Sequence, residues 1–129
     1  MTDQAPSSPM TKKETLMTYA PALPKSPFSD IAPALGTYTD EVLFGDVWKR
    51  FCLSPRDRGL VTVASLVSGY RINEMPFHMK RALENGVTPD ELIEAITHLA
   101  FHAGWPPAST AIGIARKVFE QADAEKKGH

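Results

Sequence analysis

A chain of 129 residues with 43% hydrophobic and 22% charged side chains has the composition of one ordinary soluble domain. Its net charge of −1 offers no basic field for nucleic acid, and no apolar run approaches the roughly 18 residues that a membrane span requires. The single cysteine, Cys52, excludes an internal disulfide and any CxxC redox or zinc motif; with a polar, Pro/Ser-rich Met1–Met10 it points to the cytoplasm.

Residues 1–36 read as a Pro-rich arm, partly extended or mobile. Pro6, Pro9, Pro21, Pro24, Pro27 and Pro33 each remove a backbone donor and disfavour helix at the residue before. A short helix over Lys12–Tyr19 fits between them. Leu16, Met17, Tyr19, Leu23 and Phe28 are apolar enough for the arm to lie across a neighbouring subunit. The folded part spans 37–125, followed by a polar tail, 126–129. A domain of that size buries only roughly two-thirds of its unfolded surface, so self-association would help it.

From Thr39 onward the pattern is helical. Thr39 is expected to cap a helix over Asp40–Phe51 that buries Val42, Leu43, Val47 and Phe51. Ser54-Pro55-Arg56-Asp57 supplies a cap residue, a proline at the first helical position and an acid in the first turn. The helix it starts runs to about Ser68. Leu60, Val61, Val63, Ala64, Leu66 and Val67 cover so much of its circumference that it is expected to be the central one. Gly69-Tyr70-Arg71-Ile72 is a break. Asn73 is expected to cap a helix to about Asn85, with Pro76 in its first turn and Gly86 as the stop. Thr88-Pro89-Asp90-Glu91 is a capping box that opens a helix ending near Gly104. Trp105-Pro106-Pro107 turns the chain into a last helix, to about Ala124. The expectation is a single all-α domain of five to six helices with short connections.

Two constellations could carry chemistry. If the helix after the break reaches back to Arg71, then Arg71, Glu74 and His78 share one sector. Arg71 is a fixed cation for a substrate carboxylate, Glu74 can tune an imidazole, and His78 can move a proton near neutral pH. The alternative is an exposed helix start with an acid near its positive end and an incidental histidine. Glu94, His98 and His102 form a second stripe, each four residues from the last. His98 lies almost opposite the apolar sector of Leu92, Ile93, Ile96, Leu99, Ala100 and Ala103, so it is either solvated or buried against another subunit. Two histidines four apart can start a zinc site, but without further ligands no metal is assigned. Cys52, Trp48 and Trp105 read as packing residues, and Arg56, Asp57 and Arg58 as a surface charge cluster or a second anion contact.

At these residues the chain resembles the carboxymuconolactone decarboxylase family. The resemblance covers roughly Tyr38 to Gln121. It rests on Tyr38-Thr39-Asp40-Glu41-Val42-Leu43-Phe44-Gly45, on Leu53-Ser54-Pro55-Arg56-Asp57-Arg58, on Pro76-Phe77-His78 with Ala82-Leu83-Glu84-Asn85-Gly86, and on Ile96-Thr97-His98-Leu99-Ala100-Phe101-His102-Ala103-Gly104-Trp105-Pro106. It implies an all-helical, alkylhydroperoxidase D-like bundle, cofactor-free in its decarboxylase branch, that assembles as a homo-oligomer, a trimer or hexamer. The thiol peroxidase branch carries CxxC followed by a histidine. His78 matches that histidine, but Arg71 and Glu74 stand where the cysteines would be, so peroxidase activity is not expected. A glutamate found in that branch falls here at Gly59, and a position that commonly carries tyrosine is His102.

The expected activity is therefore that of a carboxy-lyase: cofactor-free decarboxylation or proton transfer on a small carboxylated lactone in aromatic-acid breakdown. The expected site is His78, Glu74 and Arg71, with His98 entering from a neighbouring helix or subunit. The alternative is a non-enzymatic oligomeric binding protein on the same scaffold. No nucleic acid or membrane partner is expected.

Overall fold

The computed structural model describes residues 26–128, so the helix expected over Lys12–Tyr19 lies outside the described residues. The chain divides between Arg50 and Phe51 into two compact units. Among the described residues the chain is all-α.

In the first unit a five-residue helix, α1 (Pro33–Thr37), starts with Pro33 in its first turn. It therefore begins inside the segment read as an extended arm. It passes directly into a π-helical turn, Tyr38–Leu43, marked by the Phe44 N–H donating to the Thr39 carbonyl five residues back. A 3₁₀ turn, Val47–Lys49, follows. This corrects the single helix expected over Asp40–Phe51. Thr39 does not cap it: its Oγ1 donates back to the Leu35 carbonyl at 2.8 Å, within a continuing helical path. Val42 and Leu43 are exposed and Phe51 is 95% exposed, so that sequence stripe is not a core face in the single chain. Ser26 is buried and its hydroxyl donates to Asp40 Oδ1 at 2.8 Å.

The second unit holds four helices: α2 (Pro55–Ser68), α3 (Met75–Glu84), α4 (Pro89–Ala103) and α5 (Trp105–Lys127). α2 starts as expected, with Ser54 Oγ accepting from the Asp57 N–H at 3.0 Å. It ends in a Schellman motif. The Arg71 N–H donates to the Leu66 carbonyl and the Tyr70 N–H to the Val67 carbonyl, with Tyr70 in the left-handed region at φ 55°. A tyrosine there stores strain of about 1–2 kcal/mol. The chain then takes a 3₁₀ turn, Ile72–Glu74, before α3 begins at Met75. Asn73 makes no capping bond, which corrects its expected role. α4 carries the full capping box: Thr88 Oγ1 accepts from the Glu91 N–H at 3.1 Å, and Glu91 Oε1 accepts from the Thr88 N–H at 3.0 Å. Gly104, at φ 108°, turns the chain into α5. That helix runs to Lys127, beyond the expected end at Ala124 and into the segment read as a tail.

The core is made where these helices face each other. Val63 and Val67 of α2, Met75, Met79 and Ala82 of α3, Leu92 and Ile96 of α4, and Ala108, Ala111, Ala115 and Val118 of α5 are all buried. α5 offers its small residues at helical spacing, which lets its neighbours approach closely. α2 packs on α3 and α4, and α5 packs on the same two. The four helices thus form a square in which α3 and α4 hold opposite corners. Gly59 of α2 meets Ala82 of α3 so closely that a Cβ on Gly59 would lie 3.2 Å from Ala82 Cα and Cβ. Any side chain at this position has to push the two helices apart by a few tenths of an ångström.

Candidate functional site

His78 stands one residue before the buried Met79 and is itself half-buried on α3. The helix fixes its placement: Met75, Met79 and Ala82 turn inward, and His78 lies at the margin of that inner face. Its Nδ1 is shielded from solvent and has no hydrogen-bond partner among the described residues. The Phe77 ring meets the imidazole edge-on at 5.0 Å. Arg81 is one turn further along α3, with its guanidinium carbon 5.9 Å from the Phe77 ring centre.

This environment disfavours the charged imidazole. Burial pushes the His78 pKa below the ordinary histidine value, the Arg81 charge pushes it the same way, and the Glu74 carboxylate opposes both. Glu74 is therefore in electrostatic reach of His78, one turn earlier. It is exposed, and no hydrogen bond joins the two side chains among the described residues.

Arg71 is placed elsewhere. Its φ and ψ of −89° and 72° break the helical path, so it does not share a sector with Glu74 and His78. Its Cγ and Nε lie 3.5 and 3.6 Å from where a Cβ on Gly69 would sit, so the side chain folds back over the end of α2. The cation electrostatically coupled to His78 is Arg81. Its spacing of three residues from His78 was a usable signal in the sequence.

His98 lies on α4, at the corner of the square opposite α3. It is exposed and its ring stacks on that of His102, with centroids 4.3 Å apart and planes 22° from parallel. Within one chain the fold does not bring His98 to His78. Among the described residues no three of His, Cys, Asp and Glu gather as a metal-holding group.

The remaining candidates have structural roles or lie open. Arg56 bridges Asp57 at 3.0 Å and Glu91, tying the start of α2 to the capping box of α4. Glu91 has its pKa lowered, first by the Thr88 backbone N–H and then by Arg56. Cys52 is exposed, not buried as the sequence suggested. Trp105 is 64% exposed and meets Phe101 edge-on at 5.6 Å, so it is no packing anchor in the single chain. A cleft of about 270 Å³ between α4 and α5 is lined by Ile93, Ile112, Phe119 and Arg116 among others, and by no residue of α3.

The sequence model of the carboxymuconolactone decarboxylase family matches residues 33–117. The chain is 40% identical over 77 residues to a 4-carboxymuconolactone decarboxylase of Acinetobacter baylyi, covering 60% of this chain and 58% of that protein. It is 32% identical over 78 residues to a nitrosuccinic acid decarboxylase of Metarhizium robertsii, covering 60% of this chain and 54% of that protein. An uncharacterized 15.0 kDa protein of Paracoccus denitrificans is 27% identical over 97 residues, covering 74% of this chain and 72% of its own. The chain thus spans less than two thirds of the length of either named decarboxylase.

Proposed function

Because the chain belongs to the carboxymuconolactone decarboxylase family, we propose that it is a cofactor-free decarboxylase acting on a small carboxylated substrate, with a carboxylated lactone of aromatic-acid breakdown as the first candidate. The observation that carries the reading is the half-buried His78 imidazole, whose shielded Nδ1 has no partner among the described residues and whose charge state Arg81 and Glu74 influence. Two relatives named as decarboxylases support the reaction class.

Decarboxylation breaks the carbon–carboxylate bond, releases carbon dioxide and leaves an electron pair on carbon that an adjoining carbonyl takes up as an enolate. That carbon then needs a proton. In the free protein burial and Arg81 favour the neutral imidazole. A substrate that brings negative charge to its side reverses the balance and raises the imidazole pKa. The imidazole then takes up a proton and hands it to the carbanion, a transfer typically contributing about 10²–10⁴-fold in rate. Glu74 acts in the same direction as the substrate charge, and Arg81, whose charge His78 already feels, is the cation proposed to receive a substrate acid group. Arg71 reaches that group only by leaving its position over Gly69.

Exposed Phe51, Val61, Phe77, Phe101 and Trp105 leave the second unit with apolar surface unspent. This supports homo-oligomerisation, which light scattering after size exclusion tests directly. The catalytic reading is tested by following loss of lactone absorbance with the full chain and its His78→Gln variant. A loss of ~100-fold or more is expected, and equal rates remove the proposed role. Running the same assay with nitrosuccinate separates the substrate class from the reaction class.

A further inference from the structure

The exposed histidine pair on α4 has geometry that the proposed reaction does not use. His98 and His102 are one helical turn apart, both open to solvent, with rings nearly parallel and 4.3 Å between centroids. His102 Nδ1 lies 3.2 Å from the His98 carbonyl oxygen. A carbonyl only accepts, so that nitrogen carries the proton in the neutral ring. The contact favours the Nδ1–H tautomer, which leaves Nε2 with a free lone pair. Anchoring one ring nitrogen to a backbone carbonyl is the arrangement that orients histidine ligands in metal sites.

We infer that His98 and His102 form a two-imidazole chelate for a borderline divalent transition ion such as Zn²⁺, Ni²⁺ or Cu²⁺. Metal–nitrogen distances of about 2.0–2.1 Å place two adjoining ligand nitrogens about 3 Å apart, and side-chain torsion in open solvent brings the rings to that spacing. Among the described residues no third protein ligand joins the pair. Water completes the shell, and the site suits imidazole-preferring ions rather than Mg²⁺ or Ca²⁺. The second imidazole binds intramolecularly once the first is engaged, which is the source of its advantage over a lone surface histidine. Loading bridges one turn near the end of α4 and stabilises the folded chain in proportion to ion concentration.

The test uses Zn²⁺ as the probe and the ring resonances of each histidine as the readout, since Cys52 is also exposed and can bind zinc on its own. The His98 and His102 signals are expected to move together and saturate at one ion per chain. In His102→Ala the midpoint for His98 is expected to weaken ~10-fold or more. Alanine at an exposed helical position favours the helix, so the variant keeps its fold. If His98 titrates with the same midpoint in both proteins, or if neither ring responds at millimolar Zn²⁺, no chelate exists.

Discussion

Gly59→Ala probes the close approach of α2 to α3, the helix that carries the candidate site. The added methyl lies 3.2 Å from Ala82 Cα and Cβ. Ordinary carbon–carbon contact is about 3.5–4.0 Å, so α2 and α3 have to part by about 0.3 Å or more. Two effects oppose each other. Replacing glycine by alanine inside a helix gains about 1 kcal/mol, whereas overpacking a well-packed core costs about 1–3 kcal/mol. Ala82 is fully buried, and the atoms in contact are its Cα and Cβ, which no rotamer change can move aside. Overpacking therefore wins, and the net loss is about 1 kcal/mol. Urea unfolding measures it as a lower midpoint at unchanged slope. His78 rides on α3, so its NMR titration shifts in the same variant. A variant stabilised by the full helix-propensity gain, with His78 unmoved, would mean that the α2–α3 contact has slack and that the close packing argued here is wrong.

The pH dependence follows from the lowered His78 pKa. In the unfolded chain this group binds a proton at higher pH than in the native state, so stability is fully present above about pH 6.5 and is lost as pH falls through that value toward the native pKa. His78→Gln flattens that slope in a denaturation series. If the proposed reaction holds, the pH profile of kcat/KM is expected to turn at the lowered pKa of the free protein and that of kcat at a higher value set by bound substrate, which pH–rate series check. Arg81→Gln raises the His78 pKa measured by NMR, because one of the two causes lowering it is gone; an unchanged value would show that burial acts alone. Thr88→Ala removes the side-chain half of the capping box and costs about 1 kcal/mol, read as a lower thermal midpoint.

Local signals decide the structure where the chain settles it within a few residues. Ser54-Pro55 and Thr88-Pro89-Asp90-Glu91 start helices through bonds three residues long, and both starts hold in the structure. Thr39 and Asn73 are the same residue types in different company. Thr39 is already in a helical path begun at Pro33, so its hydroxyl bonds backward, and Asn73 sits within a 3₁₀ turn. The spacing of His78 was legible as a helix position, but its burial was not, because that depends on α2 and α5 packing on α3. The spacing that would put Arg71 with Glu74 and His78 holds only in a continuous helix, which the left-handed Tyr70 and the following turn abolish. Nothing local in the sequence signals that α3 and α4 end up across a diagonal, since adjacency in the chain suggests the opposite.

That diagonal constrains how copies can meet. A twofold contact pairs one patch with itself, so a twofold that joined the two histidines would need one patch taking in residues of both α3 and α4. If the side of α4 that carries His98 packs instead on the α3 side of another molecule, unlike faces join head to tail. Such a contact repeats around a rotation axis until it shuts on itself, or runs on without end as a filament.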